Sequence, residues 1–319
     1  MNTFPTFQEI QMAMQRIQKF VYRTPVLTCQ HINERVEAEV FFKCENFQKV
    51  GAFKFRGACN AVFSLDNASS GVATHSSGNH AQALARAAQI RQIPAYIVMP
   101  NNAPSVKKNA VAGYGAQITF CAPTLESREK TLELLVSQTG AHLIHPYNDF
   151  SVIAGQGTAA LELLQEVPHL EIIMTPVGGG GLLSGTALAT KGIDPRIQVY
   201  AAEPEQADDA YRSLQAGKIL PAENPQTIAD GLRSSLGTLT FPIIQKHVAG
   251  IIRVSEKEIV EAMYSIWERM KIIIEPSSAL PLGALLQKKS QFIGKRIGII
   301  LSGGNLDFVQ FPWSHYLST

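Results

Sequence analysis

Apolar residues recur at helical spacing near the start of the chain, at Phe7, Ile10, Met14, Ile17 and Val21, and this stripe predicts an amphipathic helix over 6–21. Thr24-Pro25 ends it, because a residue that precedes proline is pushed out of helical backbone. The run EVFFKCE around 40–44 reads as a short strand, and a helix is expected at 57–65. From residue 71 the pattern becomes a regular alternation. GVATHSS, PAYIVMP, AQITFCA and AHLIHP read as strands, with helical stretches between them at 79–89, 105–113 and 125–139. A second series follows a turn at 146–150: a helix at 153–167, the strand LEIIMTPV, a glycine turn, a helix from 182, the strand QVYAAEP, further helices and the late strand RIGIILSGG. Such alternation predicts an α/β protein whose mainly parallel sheets are covered by helices on both faces. The polar stretch NASSG at 67–71 marks a boundary, so 71–148 is expected as a small domain inserted between 1–70 and 149–319, the two parts of a larger one.

Composition narrows the class of partner. With 319 residues, 45% of them hydrophobic and 17% charged, the chain can bury one large core or two smaller ones. The formal net charge is only +2 and no Lys/Arg-rich run occurs, so no electrostatic footprint for nucleic acid is present and small-molecule chemistry is expected. There is no signal-peptide pattern and no stretch of 18 apolar residues, which leads to the expectation of a cytoplasmic protein without membrane association. Cys29, Cys44, Cys59 and Cys121 show neither CxxC nor zinc spacing and read as small buried hydrophobes.

Four stretches could carry chemistry. In KVGAFKFRGA, Lys54 sits among Gly51, Ala52, Phe53, Phe55 and Gly57, an apolar surround that would lower an ammonium pKa by desolvation and make the amine a nucleophile. The alternative is a surface lysine whose stem covers apolar area. Gly178, Gly179, Gly180 and Gly181 join a strand to a helix at Leu182, where backbone N–H groups and close approach suit a phosphate. A dinucleotide fingerprint fits less well, since Leu183 or Ser184 stands where its last glycine belongs, and no Gly-Lys-Ser/Thr follows for a Walker loop. A plain glycine turn is the remaining reading. The turn from Thr74 to His80 could hold a carboxylate at a helix start or be an ordinary N-cap. Ser302 in LSGGN could meet a ligand or close a turn, and Glu203, Asp208 and Asp209 offer hard oxygens for Mg²⁺ or Ca²⁺, or are simply solvated. His142 and His145, if both on one strand, would face opposite sides, so no histidine zinc site is expected.

Taken together, GAFKFRGA, SSGNH, GGGG and SGGN, in this order over nearly the whole chain, resemble the pyridoxal-phosphate enzymes of the serine/threonine dehydratase and serine racemase family. THSSGNHAQAL, IPAYIVMP, VIAGQGT, PVGGGGLLSG, VYAAEP, TIADGL and WERMK place the likeness near serine racemase and threo-3-hydroxyaspartate ammonia-lyase. The resemblance implies the tryptophan-synthase-β-like architecture, fold type II, in two lobes. The chain has no room for the regulatory domain of biosynthetic threonine deaminases, so a degradative or racemising member is expected.

Carried over by motif, the family makes Lys54 the Schiff-base lysine, with Phe53 beside the cofactor ring and Asn79 bonded to the ring hydroxyl. Gly178 to Gly181 and Leu182 would hold the phosphate, and Ser302 would face the pyridine nitrogen, leaving it largely unprotonated and the cofactor a moderate electron sink. Lys54 would then remove the α-proton on one face, with loss of the β-hydroxyl giving a 2-oxo acid and ammonia. Ser77 matches the family's second base, on the opposite face, whose action gives the racemised amino acid. Ser76, Ser77, Asn79 and His80 would hold the α-carboxylate, and Arg128 and Ser234 the distal group. A cationic Arg128 would favour 3-hydroxyaspartate beside serine and threonine. Glu203, the Ala207 carbonyl and Asp209 match a divalent-cation site for Mg²⁺, Ca²⁺ or Mn²⁺, and Gln82, Lys107 and Tyr114 match an ATP effector site. Val50 and Tyr147 depart from the pattern, Val50 replacing a hydroxyl residue in the nucleotide region and Tyr147 an amide near the cofactor. A homodimer is implied. A dedicated racemase and a phosphate-ligand sensor with an incidental Lys54 are the rival expectations.

Overall fold

The computed structural model describes residues 4–103 and 105–308. Helix α1 (Phe7–Ile17) is followed by β1 (Val26–Leu27), α2 (Gln30–Val36), β2 (Glu39–Cys44) and α3 (Lys54–Ser64). Three strand-helix units come next: β3 (Val72–His75) with α4 (Asn79–Arg91), β4 (Ala95–Pro100) with α5 (Ser105–Gly113), and β5 (Gln117–Cys121) with α6 (Leu125–Thr139). After the short β6 (His142–Leu143) run α7 (Phe150–Glu166), β7 (Ile172–Pro176), α8 (Gly181–Ile193), β8 (Gln198–Pro204), α9 (Asp209–Ala216) and α10 (Thr240–His247). The chain continues through β9 (Gly250–Val254), α11 (Glu256–Met270), α12 (Pro276–Gln287) and β10 (Arg296–Leu301).

Two sheets result, as the alternation predicts. One has the order β1-β2-β10-β7-β8-β9 and is parallel except for the β1–β2 edge; the other, β5-β4-β3-β6, is parallel throughout. On one side of the larger sheet β2, β7, β9 and β10 pack with α2, α11 and α12, and on the other α1, α7 and α8 cover it. Where α7 crosses α8 the backbones nearly touch. A Cβ on Gly185 would lie 2.5 Å from the Gly157 nitrogen, so this crossing requires glycine.

The element ends differ from the sequence expectations for local reasons. A Thr6/Glu9 capping box starts α1, but the helix stops at Ile17, whose carbonyl takes both the Phe20 and Val21 N–H groups. The apolar stripe continues past the helix because Phe20 stacks on Phe63 from a turn, with ring centroids 4.0 Å apart. Helix α7 begins three residues before the expected 153, since Asp149 caps it by accepting from the Val152 N–H at 2.9 Å. AHLIHP yields only His142–Leu143 as strand, because Pro146 has no N–H to give a ladder and His145 Nδ1 instead accepts from the Asn148 N–H at 2.9 Å. His145 therefore lies off the strand, 6.2 Å from His75 in an edge-to-face pair.

Two residues beyond Lys54, Arg56 is wholly buried between two carboxylates. Its Nε and Nη2 donate to Glu45 at 2.7 and 2.8 Å, and its Nη1 and Nη2 donate to Glu162 at 2.8 Å each. Lys43, also buried, adds an ion pair to Glu162 at 2.8 Å and donates to the Thr24 carbonyl. Burial alone would push the Glu162 carboxyl up, yet the hydrogen bonds and charges of Arg56 and Lys43 outweigh it and hold the pKa below the usual value. Removing one member leaves uncompensated buried charge. Arg56→Met should destabilise the fold by about 3–5 kcal/mol in equilibrium urea unfolding. Lys130→Ala, which breaks an exposed pair with Glu126, should stay within about 0.5 kcal/mol. Equal effects from the two variants would contradict this account of Arg56.

Candidate active site

The two sheets meet around the first turn of α3. Phe53 is already helical, and the Phe55 and Arg56 N–H groups donate to the Ala52 and Phe53 carbonyls, so the helix starts three residues before the expected 57 with Lys54 at its head. The Phe53 N–H donates to the Ser302 carbonyl, just past β10 in the larger sheet. Lys54 Nζ donates at 2.7 Å to the Pro146 carbonyl, just past β6 in the smaller one, and lies 5.3 Å from the Phe53 ring centroid. Burial lowers the Lys54 pKa to about 8, and the nearby Glu275 carboxylate only partly opposes it. The desolvation expected from its apolar neighbours is present, and the surface-lysine alternative is not what the fold builds.

Opposite stands the glycine turn. Gly178 to Gly180 connect β7 to α8, whose first residues are Gly181 and Leu182. Gly180 has φ +88°, a left-handed conformation that strains any L side chain. A Cβ on Gly179 would stand 2.4 Å from the Tyr147 ring, and one on Gly178 2.9 Å from the Leu232 Cα. Thr240 Oγ1 accepts the Gly237 N–H and donates to the Gly179 carbonyl, each at 2.8 Å, which fixes the turn against α10. Backbone N–H groups at the positive end of α8 thus suit an anion.

Two serine-bearing turns complete the cleft. Ser302 is buried with its Oγ 3.0 Å from Ser278 Oγ, and the Ala52–Gly303 bridge holds it beside α3. After β3, Ser76 Oγ accepts the Gly78 N–H at 3.3 Å, while among the described residues the half-buried Ser77 hydroxyl makes no hydrogen bond. Asn79 Nδ2 donates to both oxygens of Glu275, at 3.1 and 3.0 Å. Its Oδ1 accepts from Asn305 Nδ2 at 2.9 Å, and the same Nδ2 donates to the Val50 carbonyl at 2.7 Å. Val50 has φ 58°, a strained value for a β-branched residue, at the loop that delivers Lys54.

The histidine of the SSGNH turn is neutral. His80 is buried, and burial first and the Lys54 charge second hold its pKa well below the ordinary value. Its Nε2 faces the Ile144 carbonyl at 3.3 Å, the Nε2–H tautomer, which leaves Nδ1 as a lone pair unable to donate to a carboxylate. What the start of α4 offers an anion is backbone N–H. Arg128 is half-buried on α6, near enough that its charge adds to burial in lowering the His75 pKa. Burial raises the Tyr147 phenol, and the neighbouring Ser234 hydroxyl partly opposes it. Beside them a cavity of about 230 Å³ is lined by Thr74, His75, Glu129, Glu133, His145 and Pro146.

At the end of β8 the Glu203 carboxylate accepts the Ala210 and Tyr211 N–H groups at 2.7 and 2.8 Å. Asp209, one turn away, has both oxygens buried with no hydrogen-bond partner. Burial raises Glu203 to about 9 and Asp209 to about 7. Among the described residues no group of three acidic, histidine or cysteine side chains has a metal-binding arrangement, so a cation here would need the Ala207 carbonyl beside the two carboxylates. Gln82, Lys107 and Tyr114 are not joined to one another by any hydrogen bond or ion pair among the described residues. Lys107 pairs with Asp230, and the Tyr114 ring lies 5.8 Å from the Arg86 guanidinium.

Glu275 is the main group that sequence reading misses. It is buried under Asn79, and burial, helped by the Asp230 charge, raises its carboxyl to about 7. Its one local signal is an acid directly before Pro276 at the start of a helix.

A half-buried lysine at a helix start, bonded to the Pro146 carbonyl next to the Tyr147 ring that stands over a four-glycine turn, defines in a two-sheet α/β fold a class of enzyme built to hold a phosphorylated aldehyde. Residues 17–303 match the family described as "Pyridoxal-phosphate dependent enzyme", and the chain belongs to it, with the type II fold. It is 55% identical over 309 residues to a serine racemase of Dictyostelium discoideum, covering 95% of each chain. It is 50% identical to a beta-hydroxyaspartate dehydratase of Paracoccus denitrificans, over 97% of this chain and 99% of the relative. A crystal structure of the Dictyostelium discoideum serine racemase superposes with a TM-score of 0.92, at 54% identity, over 96% of this chain and 100% of that one.

The lowered Lys54 pKa is directly measurable. In cofactor-free protein, competitive labelling with trace acetic anhydride should give Lys54 half-maximal reactivity near pH 8. An N-acetyl-lysine amide standard labelled in the same solution should titrate near the reference value of about 10.4. Coincident profiles would rule out the desolvated environment.

Proposed function

We propose that this enzyme is an ammonia-lyase that eliminates water and ammonia from hydroxy amino acids such as L-serine, L-threonine or threo-3-hydroxyaspartate, and that racemises serine at the same site. The observation that carries it is Lys54, with its lowered pKa, bonded to the Pro146 carbonyl beside Tyr147, whose ring stands over Gly179, and near enough to His80 of the SSGNH turn for its charge to lower that histidine's pKa. The names of the relatives, serine racemase and beta-hydroxyaspartate dehydratase, support both outcomes.

Pyridoxal phosphate, when bound, supplies an electron sink for negative charge at the substrate α-carbon. Gly178, Gly179, Gly180, Gly181 and Leu182 would hold its phosphate, with Lys54, Phe53, Asn79 and Ser302 around the ring. Lys54, free of its covalent role once substrate is in place, takes the α-proton on its own face. The Ser77 hydroxyl, not hydrogen-bonded within the described residues, serves the opposite face. The Ser76 and Ser77 hydroxyls, Asn79 and the backbone N–H of His80 hold the α-carboxylate, and Arg128 and Ser234 orient the distal group. With 71–148 as a small domain and 1–70 with 149–319 as the large one, the carboxylate turn and the phosphate seat fall on different domains. The reading carries a cytoplasmic homodimer with it, as the resemblance implies; among the described residues no helix is long and apolar enough to cross a membrane.

A divalent cation, Mg²⁺ or one of its relatives, fits Glu203, the Ala207 carbonyl and Asp209, because both Asp209 oxygens are buried without partners. Gln82, Lys107 and Tyr114 are the residues for an ATP effector in this reading, and Lys107 would have to exchange its Asp230 partner for the nucleotide.

A second reading, a dedicated serine racemase, is favoured by the identity to the Dictyostelium discoideum relative. Incubation with L-serine, following pyruvate and D-serine together, decides between them: D-serine as the main product would sink the lyase reading. Lys54→Ala should abolish turnover, and retained elimination would refute its role as base. Ser77→Ala should lose racemisation and keep most elimination of L-substrates; equal loss of both would contradict a second base. The cation is tested by pH. Both carboxyls titrate above their ordinary values, so their ionisation costs stability as pH rises toward about 7 for Asp209 and about 9 for Glu203. A cation binds the ionised pair, so 5 mM Mg²⁺, as an order-of-magnitude choice, should raise the melting temperature at pH 8 far more than at pH 5.5. An equal rise at both would argue against these two ligands.

A further inference from the structure

We propose that the side-chain amide of Gln156 is an additional, side-chain ligand for the phosphate in the glycine seat, which the backbone turn alone does not complete. This assignment rests on the reading of that turn as the phosphate seat. Gln156 lies in the middle of α7 and is 0% exposed, yet neither its Nε2 nor its Oε1 has a hydrogen-bond partner. Leaving an amide buried and unpaired is costly, so a group in this position calls for a partner that the bare fold does not contain.

The amide's placement names that partner. Its terminal oxygen position lies 2.6 Å from where a Cβ on Gly181 would stand, at the first residue of α8, and its Cγ lies 2.9 Å from the corresponding point on Gly57, one turn below Lys54. The side chain therefore reaches from α7 between the head of α3 and the head of α8, the two helix starts that flank the cleft. Tyr147 closes the same space, its Cβ 3.0 Å from the Gly181 point. The two terminal atoms of an amide exchange by a half-turn of the side chain, so the NH₂ group can face the anion without any shift of backbone. A neutral donor at this point adds a bond to a dianion without introducing a charge that would have to be buried when the seat is vacated.

The test separates a ligand from a packing residue. Cofactor-free wild type, Gln156→Met and Gln156→Glu are compared for binding of pyridoxal phosphate and of pyridoxal, which lacks the phosphate, by quenching of protein fluorescence, and for melting temperature without either compound. Gln156→Met keeps the volume and removes the orphaned amide. It should weaken pyridoxal phosphate roughly ten- to a hundredfold, the range for a hydrogen bond to a charged group, leave pyridoxal binding unchanged, and hold or raise the melting temperature of the free protein. Gln156→Glu, similar in shape but able to ionise beside the anion, should weaken pyridoxal phosphate more at pH 9 than at pH 7 and again spare pyridoxal. The proposal is overturned if pyridoxal phosphate binding is unchanged in both variants, as for an amide that meets only a buried water, or if both compounds weaken in step with a fall in melting temperature. Wild type that binds pyridoxal as tightly as pyridoxal phosphate would instead overturn the phosphate-seat reading itself.

Discussion

Arg56 fixes where Lys54 can be. Its guanidinium is clamped on one edge by Glu45, just past β2, and on another by Glu162 in α7, so the first turn of α3 cannot rotate or slide without pulling a buried cation off two carboxylates. Lys54 stands two residues earlier on the same turn, and its direction toward Pro146 follows. The clamp also ties α3 to α7, and α7 in turn crosses α8 at the Gly157–Gly185 contact, where the backbones are too close for side chains. The lysine and the glycine seat are therefore connected through two rigid contacts, one electrostatic and one steric. A nucleophile on a flexible loop would not need this, but one that must alternate between holding a cofactor and taking a proton does.

The remaining site groups come from turns at the C-terminal ends of parallel strands, where N–H groups and helix starts point into the cleft. Each turn is tied to another by side chains rather than by ladder bonds. Asn305 holds both Val50 and Asn79, and Asn79 holds Glu275; Thr240 holds Gly179. Removing the middle of such a chain disturbs both ends, which is why Asn79, between Glu275 and Asn305, is placed to couple the carboxylate turn to the loop that delivers Lys54.

Much of this is legible along the chain because it is local. The alternation of apolar runs places both sheets, and the helices at 105–113 and 125–139 have the bounds their periodicity implies. Glycine and serine turns are visible for the same reason. Misses arise where distant segments decide. The apolar stripe after Ile17 is buried by stacking of Phe20 on Phe63 and not by more helix. The two-residue β1 carries too few residues for a periodic signal, and β6 is cut by a proline and a histidine side chain. Glu275 escapes notice since nothing in its own neighbourhood shows that Asn79, nearly two hundred residues earlier, will sit on it. The imidazole of His80 reads as an anion ligand in the motif, and only burial against Ile144 shows that its proton faces away.

Lys54 and Glu275 together set the working range of the cleft. Burial lowers the first to about 8 and raises the second to about 7, so desolvation drives an acid and a base toward the same narrow interval from opposite sides. Within it each group answers the other. An ionised Glu275 favours the ammonium form of Lys54, while a protonated Glu275 releases the amine for proton abstraction. Asn79 donates to both Glu275 oxygens and thereby favours its ionised form, whereas Asp230, itself paired with Lys107, pushes the other way. The ion pair between Lys107, in the run after β4, and Asp230, just before the glycine-seat neighbour Leu232, spans the two sheets. Asp230 raises the Glu275 pKa and Lys107 lowers it, so the two members of this pair act on Glu275 with opposite signs. Charge at the rim of the cleft is in this way connected to proton affinity at its floor.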